Sequence, residues 1–256
     1  MSQSLGNDSE YPRVTYLRYT VEEQPSYKLP DKARDGTIGT FSYSVNKSRA
    51  VFQPTVRYAD ESAARQVLEP LLRAWEIKTA LTQGKPVFAF AFYSCDIQEV
   101  APKPGELRGV AMVMFTGRAT VEISFGEFPS PAEDFVVDDL TSDLAQIVLN
   151  SRLNPLAILK DAFSITTRLE YEFGTLAEAS SYLGISVAAL ERVQNLATQR
   201  SAGAHTRKWF KQGKVMPAEL STGERDWLQR AFKVIVVRAG EALAKPNQPQ
   251  ITKDQI

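Results

Sequence analysis

The stretch ADESAARQVLEPLLRAWEIKTAL, residues 59 to 81, decides how the first half of the chain is read. Val67, Leu68, Leu71, Leu72 and Trp75 recur at helical spacing and form one apolar stripe. Asp60 or Ser62 suits the N-cap, and Pro70 inside the stripe predicts a kink or the start of a second helical segment. On either side the pattern changes. RVTYLRYTV (13–21) alternates and is rich in β-branched and aromatic residues, the mark of a half-buried strand. After a polar loop, TIGTFSYSV (37–45) and RAVFQPTVRYA (49–59) read as two more strands, or as a hairpin plus an edge strand interrupted at Pro54. PVFAFAFYSC (86–95), ELRGVAMVMF (106–115) and RATVEISF (118–125) return to strand character. One long helix among largely antiparallel strands predicts an α+β domain over residues 12–128, with the helix on one face of the sheet.

The next segment, GEFPSPAEDFVVDDLTSD (126–143), holds two prolines, six acidic residues and no basic one. It reads as a solvated acidic linker over residues 129–141. Everything after it reads as helix. Ser142 suits the cap of SDLAQIVLNSRL, and Asn154 followed by Pro155 opens a helix with Leu156, Leu159, Phe163, Thr166, Leu169 and Phe173 on one face. Gly174 stops that helix. Thr175 with Glu178 forms a capping box, Gly184 ends a short helix, and Ser186 opens SVAALERVQNLATQR. Ser221 with Glu224 is a second capping box, before a helix presenting Trp227, Leu228, Ala231, Phe232, Ile235 and Ala239. Short connections between these helices predict a bundle over residues 142–244. The polar ends, 1–11 and 245–256, read as disordered.

Composition removes much chemistry. Lys and Arg number 30 against 30 Asp and Glu, so the chain as a whole attracts neither nucleic acid nor membrane, and any such binding needs a local patch. The one cysteine, Cys95, excludes an internal disulfide, reads as a buried strand-end thiol and points to a reducing, cytoplasmic compartment. One histidine and one cysteine cannot build a His/Cys zinc site, and neither metal nor cofactor is expected. Gly-rich phosphate loops, G-x-S-x-G and H-E-x-x-H do not occur. MSQSLGNDSEYP has no apolar h-region and does not read as a signal peptide, and no apolar run approaches the ~20 residues of a membrane span.

What remains is LATQRSAGAHTRKWFKQGK, residues 196–214, which contains the only histidine, His205. From Ser186 to Val215 there are six Lys or Arg against one Glu. Arg207, Lys208, Lys211 and Lys214 suit a phosphate backbone, and Trp209, flanked by Phe210, suits stacking on a base. If the segment is helical as far as His205, Ser201 and His205 share a face and Arg200 lies on a neighbouring flank. A group that moves a proton at neutral pH beside a phosphate-binding cation is what metal-free RNA cleavage requires. The plainer reading makes His205 a helix-end cation and Trp209 and Phe210 core residues.

Helices carrying R-S-A-G-A-H resemble the HEPN superfamily, whose helical domains often contain an Arg-x4–6-His motif with a polar residue after the arginine. The resemblance covers roughly residues 140–245. It implies that Arg200, Ser201 and His205 are catalytic in a cytosolic, metal-independent RNA endonuclease of the kind found in bacterial phage defence or stress response. The N-terminal domain would then sense a ligand or hold a protein partner. It also implies a homodimer, with the interface expected beside the Ser186–His205 helix. The alternative is a non-catalytic two-domain binding or assembly protein. A third reading rests on TLAEASSYLGISVAALERVQ (175–194), which resembles a helix-turn-helix of the excisionase or MerR type, with Ala179, Gly184, Ile185 and Leu190 at its packing and turn positions. Its second helix starts SVAALE and offers no Arg, Lys, Asn or Gln in its first turn to read base edges.

Overall fold

The computed structural model describes residues 12–24, 27–30, 32–99, 123–124, 128–200, 218–245 and 248–256. The architecture is α+β: an N-terminal five-stranded antiparallel sheet is followed by a series of helices. The chain divides into two compact units, Met1–Leu72 with Val87–Pro131, and Arg73–Pro86 with Ala132–Ile256.

In the first unit the strands are β1 (Arg13–Glu23), β2 (Tyr27–Lys28), β3 (Arg34–Ile38), β4 (Phe41–Val45), β5 (Arg49–Pro54), β6 (Phe88–Gln98) and β7 (Ile123–Ser124). The main sheet has the order β3-β4-β5-β1-β6. TIGTFSYSV is a hairpin rather than one strand: Gly39 takes φ 53°, and β3 turns there into β4 with Ile38 opposite Phe41. Alternation in β1 sends Leu17, Tyr19 and Val21 to the buried face, where Tyr19 meets Phe52 and Phe92 edge-on at 5.6 and 5.5 Å. Over this face lies the first part of α1 (Glu61–Gln83), with the Arg65 guanidinium 4.1 Å above the Phe92 ring. Glu61 and Glu69 hold that guanidinium at 3.0 and 2.6 Å. Cys95 lies within β6 rather than at its end and is half-buried, and burial pushes its thiol up to about 11, so it stays protonated at neutral pH. Of the strands expected at 106–115 and 118–125, only Ile123–Ser124 is described, pairing with β2 in parallel. The rest, like residues 1–11, lies outside the described residues.

Helix α1 departs from expectation twice. Asp60 is the cap, accepting from the Ala63 amide at 2.8 Å, but the helix runs through Pro70 without ending. Burial of Leu68, Leu72 and Trp75 around the proline offsets the roughly 3 kcal/mol an interior proline costs. Moreover, the helix does not belong wholly to the sheet: residues 73–83 fall in the second unit, where Ala74, Ile77 and Leu81 join the bundle core.

The second unit contains α2 (Asp139–Leu153), a 3-10 turn (Pro155–Ala157), α3 (Ile158–Phe173), α4 (Leu176–Leu183), α5 (Val187–Gln199) and α6 (Thr222–Ala244). Its caps are mostly local and as expected. Gly174 has φ 85°, Thr175 accepts from the Glu178 amide, Gly184 is left-handed, and Ser221 and Glu224 form a complete capping box. Trp227, Leu228, Ala231, Phe232, Ile235 and Ala239 are all buried. Four readings need correction. Asp138, not Ser142, caps α2, accepting from the Thr141 amide at 2.7 Å. Asn154 makes no side-chain cap. Helix α3 is rotated: Ile158, Leu159, Ala162, Ile165, Thr166 and Leu169 face the core, while Leu156 and Phe163 stay 64% and 54% exposed. The acidic connector is not simply solvated, because Phe135 is buried in the core and the Val136 amide donates to the Gly240 carbonyl at 3.0 Å.

The end of the chain is ordered, not disordered. Ile251 exchanges backbone hydrogen bonds with Gly184 and Ser186, both at 2.8 Å, across a bridge to Ile185. Trp227 Nε1 donates to the Lys253 carbonyl at 3.2 Å, and Arg230 Nε to the Ile256 carbonyl at 2.6 Å. Arg238 bonds Gln248 and the Pro249 carbonyl. Nothing apolar in KPNQPQ announces this docking; the contacts are made largely by carbonyls, which every residue carries.

Gly240 packs directly against Phe135, since a Cβ built on it would overlap that ring. Gly240→Ala should destabilise the bundle by about 1–3 kcal/mol through overpacking, read as a lower urea midpoint. An unchanged midpoint would show that Phe135 does not pack against Gly240 in solution.

Candidate functional site

Helix α5 carries the chain to the basic segment. It starts after the left-handed Gly184, buries Ala189, Leu190, Val193 and Leu196, and ends at Gln199. Arg200 still donates its amide to the Leu196 carbonyl at 3.2 Å, but its backbone is extended at φ −114°, ψ 158°. Helix α5 therefore stops at Gln199, before Arg200. Ser201, His205, Arg207, Lys208, Trp209, Lys211 and Lys214 lie outside the described residues. Of the expected site, Arg200 alone is located.

Its guanidinium is engaged. Nε and Nη2 both donate to Oε1 of Glu224, at 3.0 and 2.8 Å. The other carboxylate oxygen of Glu224 accepts from the Ser221 amide and hydroxyl, each at 2.9 Å. Glu224 thus does two tasks: one oxygen completes the capping box of α6, and the other holds the last residue before the basic segment. The Glu224 side chain is 18% exposed and that of Arg200 35%, so the pair is only partly withdrawn from solvent. The sequence shows Glu224 as a cap and gives no sign of the second role, because Arg200 and Glu224 are 24 residues apart with no periodic relation.

The pair ties together the two ends of the intervening chain. Arg200 and Ser221 flank that stretch in sequence, and Ser221 stands at the positive end of the α6 dipole. Nearby, Arg192 on α5 lies 4.4 Å over the ring of Trp227 on α6. The rest of the outward side of α5 consists of Ala188, Glu191, Asn195, Thr198 and Gln199.

Helices α4 and α5 also form the helix-turn-helix arrangement, with Ala179, Ile185 and Leu190 fully buried and Gly184 at the turn. The turn is not open, however. Residues 248–251 cross it, and an atom added at Gly184 would meet the Gln248 carbonyl at 3.3 Å. The start of α5 carries half-buried Val187 and exposed Ala188, neither able to read a base.

Among the described residues no helix is long and apolar enough to cross a membrane. No family model, curated protein or solved structure matches the chain.

Arg200 and the cap hold Glu224 well below the usual carboxylate range, at about 2. A depressed folded-state value stabilises the fold above the ordinary value, and that contribution fades as pH falls from about 4.5 through about 2. Glu224→Gln should lower the urea midpoint near neutral pH and flatten the loss of stability over that acid window. Parallel acid profiles for the two proteins would mean that Glu224 is not ionised against Arg200 in solution.

Proposed function

We propose that the helical unit binds RNA through residues 200–214, in the manner of a HEPN-like module. The observation that carries this reading is the Arg200–Glu224 pair, which pins the start of the basic segment to the N-terminus of α6. The segment holds five cations, Arg200, Arg207, Lys208, Lys211 and Lys214, with Trp209 and Phe210 and no carboxylate, in a chain of zero net charge. Concentrated positive charge with adjacent aromatic rings suits single-stranded RNA, where backbone neutralisation and base stacking act together. Arg200 serves first as an anchor, since Glu224 already occupies its guanidinium.

Cleavage is the second reading, favoured by the spacing of Arg200, Ser201 and His205. His205 would transfer the proton and Arg200 would exchange Glu224 for the phosphate, with no metal involved. The first unit would sense a ligand or hold a protein partner, and the protein would act in the bacterial cytoplasm, in phage defence or stress response.

Fluorescence anisotropy with a labelled single-stranded RNA tests the proposal. Replacing both Lys208 and Lys211 by Ala should reduce the slope of log affinity against log salt by about 1.4, and Trp209→Ala should cost about 1–3 kcal/mol of affinity. His205→Ala should leave binding intact and abolish any cleavage that survives EDTA. Absence of binding by the parent protein at low salt would end the RNA reading. Binding without EDTA-resistant cleavage would leave the non-catalytic module.

A further inference from the structure

Where residues 248–251 dock beside α6 they leave a pocket of about 500 Å³, within the size range of sites that hold small molecules. Two adjacent rows of α6 contribute to its wall. Lys233, Val237 and Glu241 follow one another four residues apart, and Val234 and Arg238 form the row beside them. Pro249 and Ile251 line the pocket from the docked segment. Val234 and Val237 are only half-buried, at positions where a solvated helix face carries polar residues. With Pro249 and Ile251 they give the pocket an apolar lining, set among cations.

The charges of this lining do not cancel. Glu241 is bonded to Lys78 at 3.1 Å, and Asp134, which also lines the pocket, to Lys245 at 2.7 Å. Those are the two carboxylates of the lining, and each already has its own lysine. Lys233 and Arg238 remain, and neither forms an ion pair among the described residues. Arg238 donates to the Gln248 side chain and, at 2.9 Å, to the Pro249 carbonyl. These neutral acceptors fix the guanidinium in place without offsetting its charge. We propose that the pocket binds a small organic acid, its apolar body against Val234, Val237, Pro249 and Ile251 and its carboxylate toward Lys233 and Arg238. An inorganic anion would leave the valines in water, and a neutral apolar molecule would desolvate the two cations with nothing in return. Because the lining comes from both α6 and the docked segment, the bound acid also holds the segment down and slows its release. The inference does not rest on RNA binding.

Calorimetric titration of the full chain tests it, with 1-naphthoate as the probe and the uncharged 1-naphthamide as control. Naphthoate should bind saturably and more tightly than the amide. Lys233→Gln removes no ion pair from the fold and should weaken naphthoate about fivefold, as loss of one half-exposed charge contact does, while Lys233→Arg should restore it. Tyr171→Ala, in the separate cleft of α2 and α3, should leave naphthoate binding unchanged. Saturating naphthoate should also slow amide exchange at Ile251 in the parent protein. Absence of saturable naphthoate binding overturns the proposal. So does equal affinity for the amide, indifference to Lys233→Gln, loss of binding with Tyr171→Ala, or unaltered exchange at Ile251.

Discussion

The second unit rests on the requirement that the middle of α6, from Trp227 to Gly240, bury one face. Trp227, Leu228, Ala231, Phe232, Ile235, Val236 and Ala239 cover between three and four turns of helix, and all are buried. One neighbour cannot cover so long a face, so α2, α3, α4 and α5 all contact it. Phe135 seals it against Gly240, and the last residues of the chain cover Trp227 and Arg230 from outside. Placement of the candidate site follows from this arrangement. Its one located residue, Arg200, is fixed by a carboxylate on the first turn of α6.

Features whose physics is local could be read directly from the sequence. Gly174, Thr175, Gly184 and the Ser221–Glu224 box each act within a few residues of themselves, and each sits where its residue type predicts. The antiparallel sheet is legible for a similar reason, since alternation in 13–21 specifies a face without reference to any partner. Features decided by distant contacts could not be read this way. Pro70 is tolerated because of apolar neighbours buried around it. The face of α3 is chosen by Ile158, Ala162, Ile165 and Leu169 together, and two large aromatic residues, Phe163 and Tyr171, lose that competition.

The same division runs through the candidate site. Arg200 and His205 draw attention because they are unusual residues at a suggestive spacing. Glu224 does not, because its ordinary task as a cap accounts for it fully. Yet Glu224 determines what Arg200 is free to do: a guanidinium sharing one carboxylate oxygen through two N–H groups is already neutralised. Any phosphate that takes its place must displace a partner also held by the backbone of Ser221.

The docking of residues 248–256 has a kinetic side. Ile251 is bound to both Gly184 and Ser186, while Lys253 and Ile256 supply acceptors to Trp227 and Arg230. These attachments follow one another along one short segment that turns at Lys253 and Asp254. Detachment would uncover Ile185 and strand the Trp227 indole N–H together. Amide exchange at Ser186 and Ile251 would therefore proceed through one shared opening event, which makes the start of α5 and the end of the chain a single cooperative unit.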